Sequence, residues 1–250
     1  VNIMRGSPGL GGIHPSQADY FQSVKGGGHG DYKLVVLAPF SVQELIDHTI
    51  LAFELAEKYR TPVMVFGDGM LGQMMEPVVF PEKKLNPPQR NWATCGMNER
   101  EHKNIIHTLY LPADALENHI KSLFITYREI EAKEKRHAAY MADDAEILVV
   151  SFGILSRVAR AAVEMAREDG IKAGLFRPIT LWPFPDQALR QAAQNAKLLI
   201  SAEISMGQMI EDVRLAIHDQ VPVELYNRIG QVPPPEELYE IIKTRAREVV

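Results

Sequence analysis

One arginine and the loop behind it carry the clearest chemical signal in this sequence. Arg5 closes a short apolar run, Val1 to Met4, and is followed by Gly6, Gly9, Gly11 and Gly12, with Pro8 and Pro15 among them. Glycines let a backbone approach a ligand closely and take positive φ, and prolines fix the turns between them. A guanidinium at a strand end beside such a loop can grip a small carboxylate or phosphate through two parallel hydrogen bonds. The alternative is an arginine on an ordinary Gly-rich turn. A second glycine loop, Lys25 to Asp31, follows closely. Its Lys25 can contact an anion and its His29 can move protons, so both are read as lining a site. Its residue order is not that of a phosphate-binding P-loop.

Other candidates are weaker. Gly67-Asp68-Gly69 follows a strand, where the metal-diphosphate signature of thiamine diphosphate enzymes would sit, with Asn91 and Asn98 downstream as possible second ligands. Pro77 interrupts the helix that should follow, so the expectation is a simple strand-end turn. Ser151-Phe152-Gly153 lacks the pattern of a nucleophile elbow. His102 and His107 do not have zinc-ligand spacing. Met70, Met74 and Met75 read as core or interface filler. Cys95 is the only cysteine; it reads as an inert, partly buried thiol. One thiol cannot hold an iron–sulfur cluster, so redox metal chemistry would have to sit on a partner.

The elements that must position these residues alternate. Strands are expected at Val1–Met4, Leu34–Ala38 and Val63–Phe66. A helix runs from a Ser41-x-x-Glu44 capping box to about Tyr59, with Leu45, Ile46, Phe53 and Ala56 at helical spacing. Residues 70–112 carry Pro77, Pro81, Pro87, Pro88 and Pro112 and read as an irregular arm. A charged helix, capped within Asp114–Glu117, is expected to continue to about Tyr140. From Asp143, strands at Ile147–Phe152, Lys172–Phe176, Leu198–Ala202 and Val223–Tyr226 alternate with helices at Leu155–Glu168, 186–195, Gly207–His218 and Glu236–Arg247. This is the pattern of a doubly wound α/β unit. The expected division is 1–80, 81–142 as arm and connecting helix, and 143–250.

With 24% charged residues and a net charge of -5, a nucleic-acid footprint is not expected. No apolar run is long enough to span a bilayer. The lack of a signal peptide or a cysteine pair agrees with a cytoplasmic location. The abrupt opening strand needs pairing partners, which suggests that part of the first domain precedes Val1.

The segments MRGSPGLGGIHPSQADY, GGGHGDYKLVVLAPFSVQE and YRTPVMVFGDGMLGQMMEPV resemble the α subunit of 2-oxoacid:ferredoxin oxidoreductases, most closely the branched-chain, 2-oxoisovalerate type. FRPITLWPFP and SAEISMGQMIEDVR resemble that subunit's second domain, related to the transketolase C-terminal domain. The resemblance implies an incomplete pyrimidine-binding α/β domain followed by a transketolase C-terminal-like α/β domain. It implies thiamine-dependent oxidative decarboxylation of a 2-oxoacid to acyl-CoA, with coenzyme A and ferredoxin as co-substrates. Thiamine diphosphate and Mg2+ would be shared with a β subunit. A 4Fe-4S cluster would lie on partner subunits only, and γ and δ subunits are further potential partners. The family's arginine before the Gly-Pro loop binds the substrate carboxylate, and that role falls on Arg5. Its cofactor-activating glutamate and Tyr-Pro-x-Thr-Pro segment have no match here, which fits a missing upstream part.

One departure concerns the substrate. Many 2-oxoglutarate-type subunits read Gly-Pro-Ser-Thr-Gly-Leu-Pro-Thr after the arginine. Here the run is Gly6-Ser7-Pro8-Gly9-Leu10-Gly11-Gly12-Ile13. Its threonines are gone and Leu10 and Ile13 are apolar, which favours an aliphatic over a dicarboxylic substrate. Three alternatives stay open: a 2-oxoglutarate or pyruvate type of the same family, a thiamine-dependent transketolase or E1β-like subunit without ferredoxin, and an assembly module without activity of its own.

Overall fold

The structure is a computed structural model that describes residues 1–82, 90–97 and 99–249. In chain order the first elements are β1 (Asn2–Met4), α1 (Tyr20–Val24), β2 (Val35–Leu37), α2 (Val42–Tyr59) and β3 (Val63–Asp68). A 3-10 turn at Leu71–Gln73 precedes an irregular stretch, then α3 (Ala113–Lys133) and β4 (His137–Tyr140). Next come β5 (Ile147–Ser151), α4 (Leu155–Glu168), β6 (Ala173–Pro178), β7 (Thr180–Trp182) and α5 (Asp186–Ala192). The chain ends with β8 (Leu198–Glu203), α6 (Met209–Ile217), β9 (Val223–Asn227) and α7 (Pro235–Val249).

These strands form two sheets, in the orders β1-β3-β2-β7 and β4-β6-β5-β8-β9. In the first, β1 and β2 flank β3 in parallel, and β7 joins β2 antiparallel. In the second, β6, β5, β8 and β9 are parallel and β4 is an antiparallel edge. The strands β2, β5 and β8 are buried along their whole length. Covering both faces of a parallel sheet favours such largely apolar strands, here interrupted only near the carboxyl ends by Ser151, Ser201 and Glu203. On α4 the buried residues Leu155, Val158, Ala159, Ala162, Val163 and Ala166 form one stripe at helical spacing.

Three sequence expectations are corrected. The charged helix does not reach Tyr140: α3 stops at Lys133, and residues 137–140 alternate exposed and half-buried as β4. The stop comes where Glu134 is drawn into the interior by Lys58, the Tyr59 hydroxyl at 2.5 Å and Arg136. No side chain caps α3; Pro112 occupies the N-cap, and Asp114 sits in the first turn. On α2 the buried residues are His48, Leu55 and Tyr59, whereas Phe53 is 67% exposed. The structure also adds α1, β4 and β7, for which no element was expected.

The Ser41 cap forms as expected: its Oγ accepts the Glu44 N–H at 3.1 Å. The Glu44 carboxylate does not close the box on Ser41. It accepts the Phe40 N–H at 3.1 Å and both guanidinium branches of Arg177, each at 2.8 Å. Arg177 lies on β6 and stacks over the Phe40 ring at 4.1 Å, so this buried fork ties α2 to the second sheet. One turn on from Glu44, His48 is buried and its Nδ1 makes no hydrogen bond to the described residues. Burial holds its pKa below the ordinary value; Arg177 and Arg136 push the same way, against Glu44 and Asp47.

An unfolded histidine titrates near 6.5, so the unfolded state takes up the His48 proton first as pH falls. Stability is therefore fully present above about pH 6.5 and is lost as pH drops through the lowered folded value, by at most about 1.4 kcal/mol per pH unit. His48→Gln, which cannot titrate, is expected to flatten the slope of urea-unfolding stability between about pH 7 and pH 5.5. Equal slopes in the two proteins would show that His48 is not the group responsible.

Candidate functional site

The carboxyl ends of β1, β2 and β3 point to one edge of the first sheet, and Arg5 stands there at the end of β1. Parallel α/β sheets bind ligands at this edge. Residues 5–15 form a closed loop. Arg5 and Pro15 are bridged antiparallel, Gly6 N–H donates to His14 O at 2.8 Å, and Gly12 N–H donates to Gly6 O at 2.9 Å. Gly11, at φ 55°, packs against Gly6 so closely that a Cβ would lie 1.8 Å from the Gly6 oxygen, so no side chain fits there. The loop's start is fixed by pairing of Met4 with Asp68 and by the Gly69 N–H donating to Met4 O at 2.8 Å.

The Arg5 guanidinium is exposed and turned back over its own loop. It donates to the carbonyl oxygens of Leu10, of Gly12 at 3.4 Å and of Gly6 at 3.5 Å. Among the described residues no carboxylate pairs with it. A permanently charged fork resting on neutral carbonyls can exchange them for a carboxylate, which it binds more strongly. Leu10 and Ile13 are 91% and 78% exposed beside it, and Pro8 and Gly9 are exposed as well.

The second glycine loop is arranged otherwise. Lys25 ion-pairs with Asp212 and faces a cavity of about 440 Å³ lined by Lys33, Trp182, Arg190 and His218 among others, with no residue of 5–15. His29 is exposed. Among the described residues no hydrogen bond joins 25–31 to the Arg5 loop.

Asp68 is more than a strand end. It is buried, and its Oδ1 accepts the N–H groups of Met70 and Leu71, both at 3.0 Å. Its Oδ2 accepts the Ile154 N–H at 3.2 Å, across to the second sheet. Burial raises its pKa, and the three backbone donors oppose that rise. Both oxygens are thus committed to backbone, and the residues of this turn do not fit a metal-diphosphate site. Asn91 offers its backbone oxygen to Arg100 and Asn104, and Asn98 lies outside the described residues. Among the described residues no cluster of histidine, cysteine or carboxylate side chains could hold a metal ion.

The remaining candidates fall away from this edge or stay structural. Ser151 is buried and donates to Ala202 O at 3.0 Å. Cys95 is exposed, not partly buried, with the Arg100 guanidinium donating to its sulfur at 3.0 Å. Met74 packs on the core of the second sheet, but Met70 is exposed and Met75 is 98% exposed, so they are not core filler. Among the described residues no helix is long and apolar enough to cross a membrane.

Fold and site together define a two-sheet α/β protein with an arginine-bearing glycine loop at the strand ends of the first sheet. Residues 1–142 match the model for the thiamine diphosphate-binding part of pyruvate flavodoxin/ferredoxin oxidoreductases, and residues 145–238 match pyruvate:ferredoxin oxidoreductase core domain II. The chain belongs to the pyruvate ferredoxin/flavodoxin oxidoreductase family. The ketoisovalerate oxidoreductase subunit VorB of Methanothermobacter marburgensis is 51% identical over 231 residues, covering 92% of this chain and 65% of its own length. The VorB of Methanothermobacter thermautotrophicus is 52% identical with the same coverage. The 2-oxoglutarate synthase subunit KorA of the latter organism is 33% identical, covering 97% of this chain and 72% of that subunit. This chain thus spans slightly less than two thirds of the VorB subunits it matches. In fold it is similar to the 2-oxoglutarate:ferredoxin oxidoreductase of Magnetococcus marinus, at TM-score 0.80 and 22% identity over 98% of this chain and 48% of that one.

Nothing in the sequence pattern marked Asp68 as a cross-sheet contact. Its burial depends on Ile154, 86 positions away. Asp68→Ala is expected to leave the N–H groups of Leu71 and Ile154 without acceptors, at about 1–3 kcal/mol each. The net loss is smaller, since the variant also removes a buried carboxyl. A urea-unfolding stability equal to that of the parent would remove Asp68 from the contacts that join the sheets.

Proposed function

We propose that this chain is part of the α subunit of a 2-oxoacid:ferredoxin oxidoreductase that converts a branched-chain 2-oxoacid to its acyl-CoA with reduction of ferredoxin. Residues 1–80 would belong to the pyrimidine-binding unit, 81–142 to the arm and connecting helix, and 143–250 to the second α/β unit. The observation that carries this reading is Arg5: a charged fork at the ligand edge of a parallel sheet, held only by carbonyls of its own loop. Identities of 51–52% to ketoisovalerate oxidoreductase subunits, against 33% to a 2-oxoglutarate synthase subunit, support the branched-chain substrate.

Arg5 would take the 2-oxoacid carboxylate in place of the loop carbonyls and hold it before it leaves as CO2. It positions the group and moves no proton. The loop beside it presents Leu10 and Ile13, which offer no hydrogen bond to a second carboxylate. Once bound substrate and the rest of the assembly cover these exposed side chains, a distal carboxylate would lose its hydration there without compensation. Thiamine diphosphate, when bound, supplies the electron sink for the decarboxylation. The Asp68 turn is committed to backbone, so Mg2+ and the diphosphate are assigned to the β subunit. The electron-carrying 4Fe-4S clusters are likewise placed on partner subunits, because this chain has a single cysteine. Coenzyme A and ferredoxin are the co-substrates, and the assembly would work in the reducing cytoplasm. Lys25 and His29 have no part in this scheme.

Arg5→Ala in the assembled enzyme is expected to lower kcat/KM for 2-oxoisovalerate by about 10- to 100-fold, the loss of a charge-assisted pair. Complex formation on size-exclusion chromatography should be unchanged. Near-parental kcat/KM would remove the carboxylate role. For the unaltered enzyme, 2-oxoisovalerate should be used faster than 2-oxoglutarate, and the reverse order would overturn the substrate assignment.

A further inference from the structure

Doubly wound sheets bind ligands in the crevice between the two strands from which the chain departs in opposite directions. In the second sheet those strands are β5 and β8: the chain leaves β5 for β6 on one side and later returns past it to β8 on the other. Here the crevice holds a side chain from the other sheet. Gln17 is fully buried. Its Nε2 donates to Phe152 O at 2.9 Å, just beyond β5. Its Oε1 accepts the Ile204 N–H at 2.8 Å, just beyond β8, while its own backbone N–H donates to Ile204 O at 2.8 Å. One carboxamide therefore spans both strand ends. Gly153 makes room for it: at φ 59°, a Cβ there would stand 3.1 Å from the Gln17 Nε2. A second glutamine reaches the opposite way, Gln208 Nε2 donating to Ala18 O at 2.7 Å and its Oε1 accepting the Phe21 N–H at 2.8 Å.

Gln17 lies two residues beyond Pro15, where the Arg5 loop closes. The hydrogen bonds of residues 6–14, among the described residues, stay within the loop or go to Arg5. The loop body packs on Gly69 and Gly230, where an added Cβ would stand 3.3 Å from Ile13 O and 3.8 Å from His14 Cβ, but its hydrogen-bonded anchors are its two ends. The Met4 end is held by β3, and the Pro15 end by Gln17. We propose that Gln17 is a positioning residue for the Arg5 loop: its carboxamide fills the switch-point crevice of the second sheet and thereby sets where the guanidinium stands. The second sheet then serves as a template at this edge, its own ligand crevice given over to the first. The proposal rests on the reading of Arg5 as the carboxylate-binding residue.

The test uses the assembled oxidoreductase with Gln17→Met, similar in volume but without the amide, and Gln17→Asn, which keeps the amide on a stem too short to span both strand ends. Both are expected to lower kcat/KM for 2-oxoisovalerate by about 10-fold, mainly through KM, with the KM for coenzyme A changed by less than about 2-fold. Amide exchange should accelerate at residues 5–15 and 204–206 and stay unchanged in β5. In an Arg5→Ala background, Gln17→Met should change kcat/KM by under about 2-fold, because residues acting through one contact are not additive. An equal loss in both backgrounds, unchanged exchange at residues 5–15, or faster exchange throughout β5 would each overturn the proposal. If Arg5→Ala alone left kcat/KM intact, the carboxylate reading would fall instead. The exchange at residues 5–15 would then still decide whether Gln17 holds the loop.

Discussion

The two sheets are joined through the backbone atoms that end β5, and much else follows from that junction. Residues 152–154 present one carbonyl and one N–H to the first sheet. The Phe152 carbonyl is taken by Gln17 and the Ile154 N–H by Asp68. Between them Gly153 keeps a left-handed turn with Gln17 and Asp68 within 3.4 Å of where its Cβ would be. Buried backbone groups at strand ends must find partners, and leaving one unpaired costs about 1–3 kcal/mol. These partners come from residues on either side of the Arg5 loop: Gln17 follows it, and Asp68 pairs with the residue before it. The geometry of an exposed loop is thereby tied to one of the most deeply buried places in the chain.

The same economy of contacts recurs at the other seams. Arg177 leaves the second sheet to fork onto Glu44 at the start of α2, where it also stacks on Phe40. Strand β7 leaves the second unit to become the fourth strand of the first sheet, against β2. Tyr20, fully buried on α1, donates to Asp212 of α6 at 2.7 Å, and Lys25 pairs with the same carboxylate. Burial and the Asp212 charge hold the Tyr20 hydroxyl well above its ordinary pKa, so it stays a donor. At Arg177 and at Tyr20 a side chain of one unit pairs with a group of the other, and at β7 the pairing is backbone to backbone. Paired buried polar groups specify one arrangement where apolar contact alone would tolerate several. If the Arg5 loop presents its charge to a substrate as proposed, it needs a body with little freedom between its sheets.

How much of this was legible in the sequence depends on the range of the interaction. The Ser41-x-x-Glu44 start of α2, the largely apolar runs of β2, β5 and β8, and the stripe on α4 are local patterns, and each lies close to where the sequence places it. The Arg5 loop was also legible, because glycine and proline mark unusual backbone directly. Strand β7 was not, since a three-residue strand pairing with a partner 143 to 146 positions away carries no periodicity of its own. Strand β4 was hidden behind the charged run that precedes it: Arg128 to Arg136 reads as a solvated helix, while the burial of Glu134 by Lys58 and Tyr59 is a contact across 75 positions or more. Phe53 and Met75 misled in the other direction, since large apolar side chains read as core but are exposed here.

Gln17 is the sharpest case. A polar residue two positions after a proline, in a stretch rich in glycine, has every local mark of a solvated loop residue. Its burial follows only from the geometry of a second sheet whose strand β5 begins 130 residues later. In a doubly wound sheet the switch-point crevice is the place where a ligand would be sought, and a carboxamide suits it because it can donate to one strand end and accept from the other. A methylene fewer would reach one end only, and a carboxylate would bring a charge with no cation beside it. Arg5, the proposed carboxylate-binding residue, can be read from the sequence; Gln17, proposed to hold its loop, cannot, though the two stand twelve positions apart on one segment. The first is marked by its chemistry and the second by its surroundings alone.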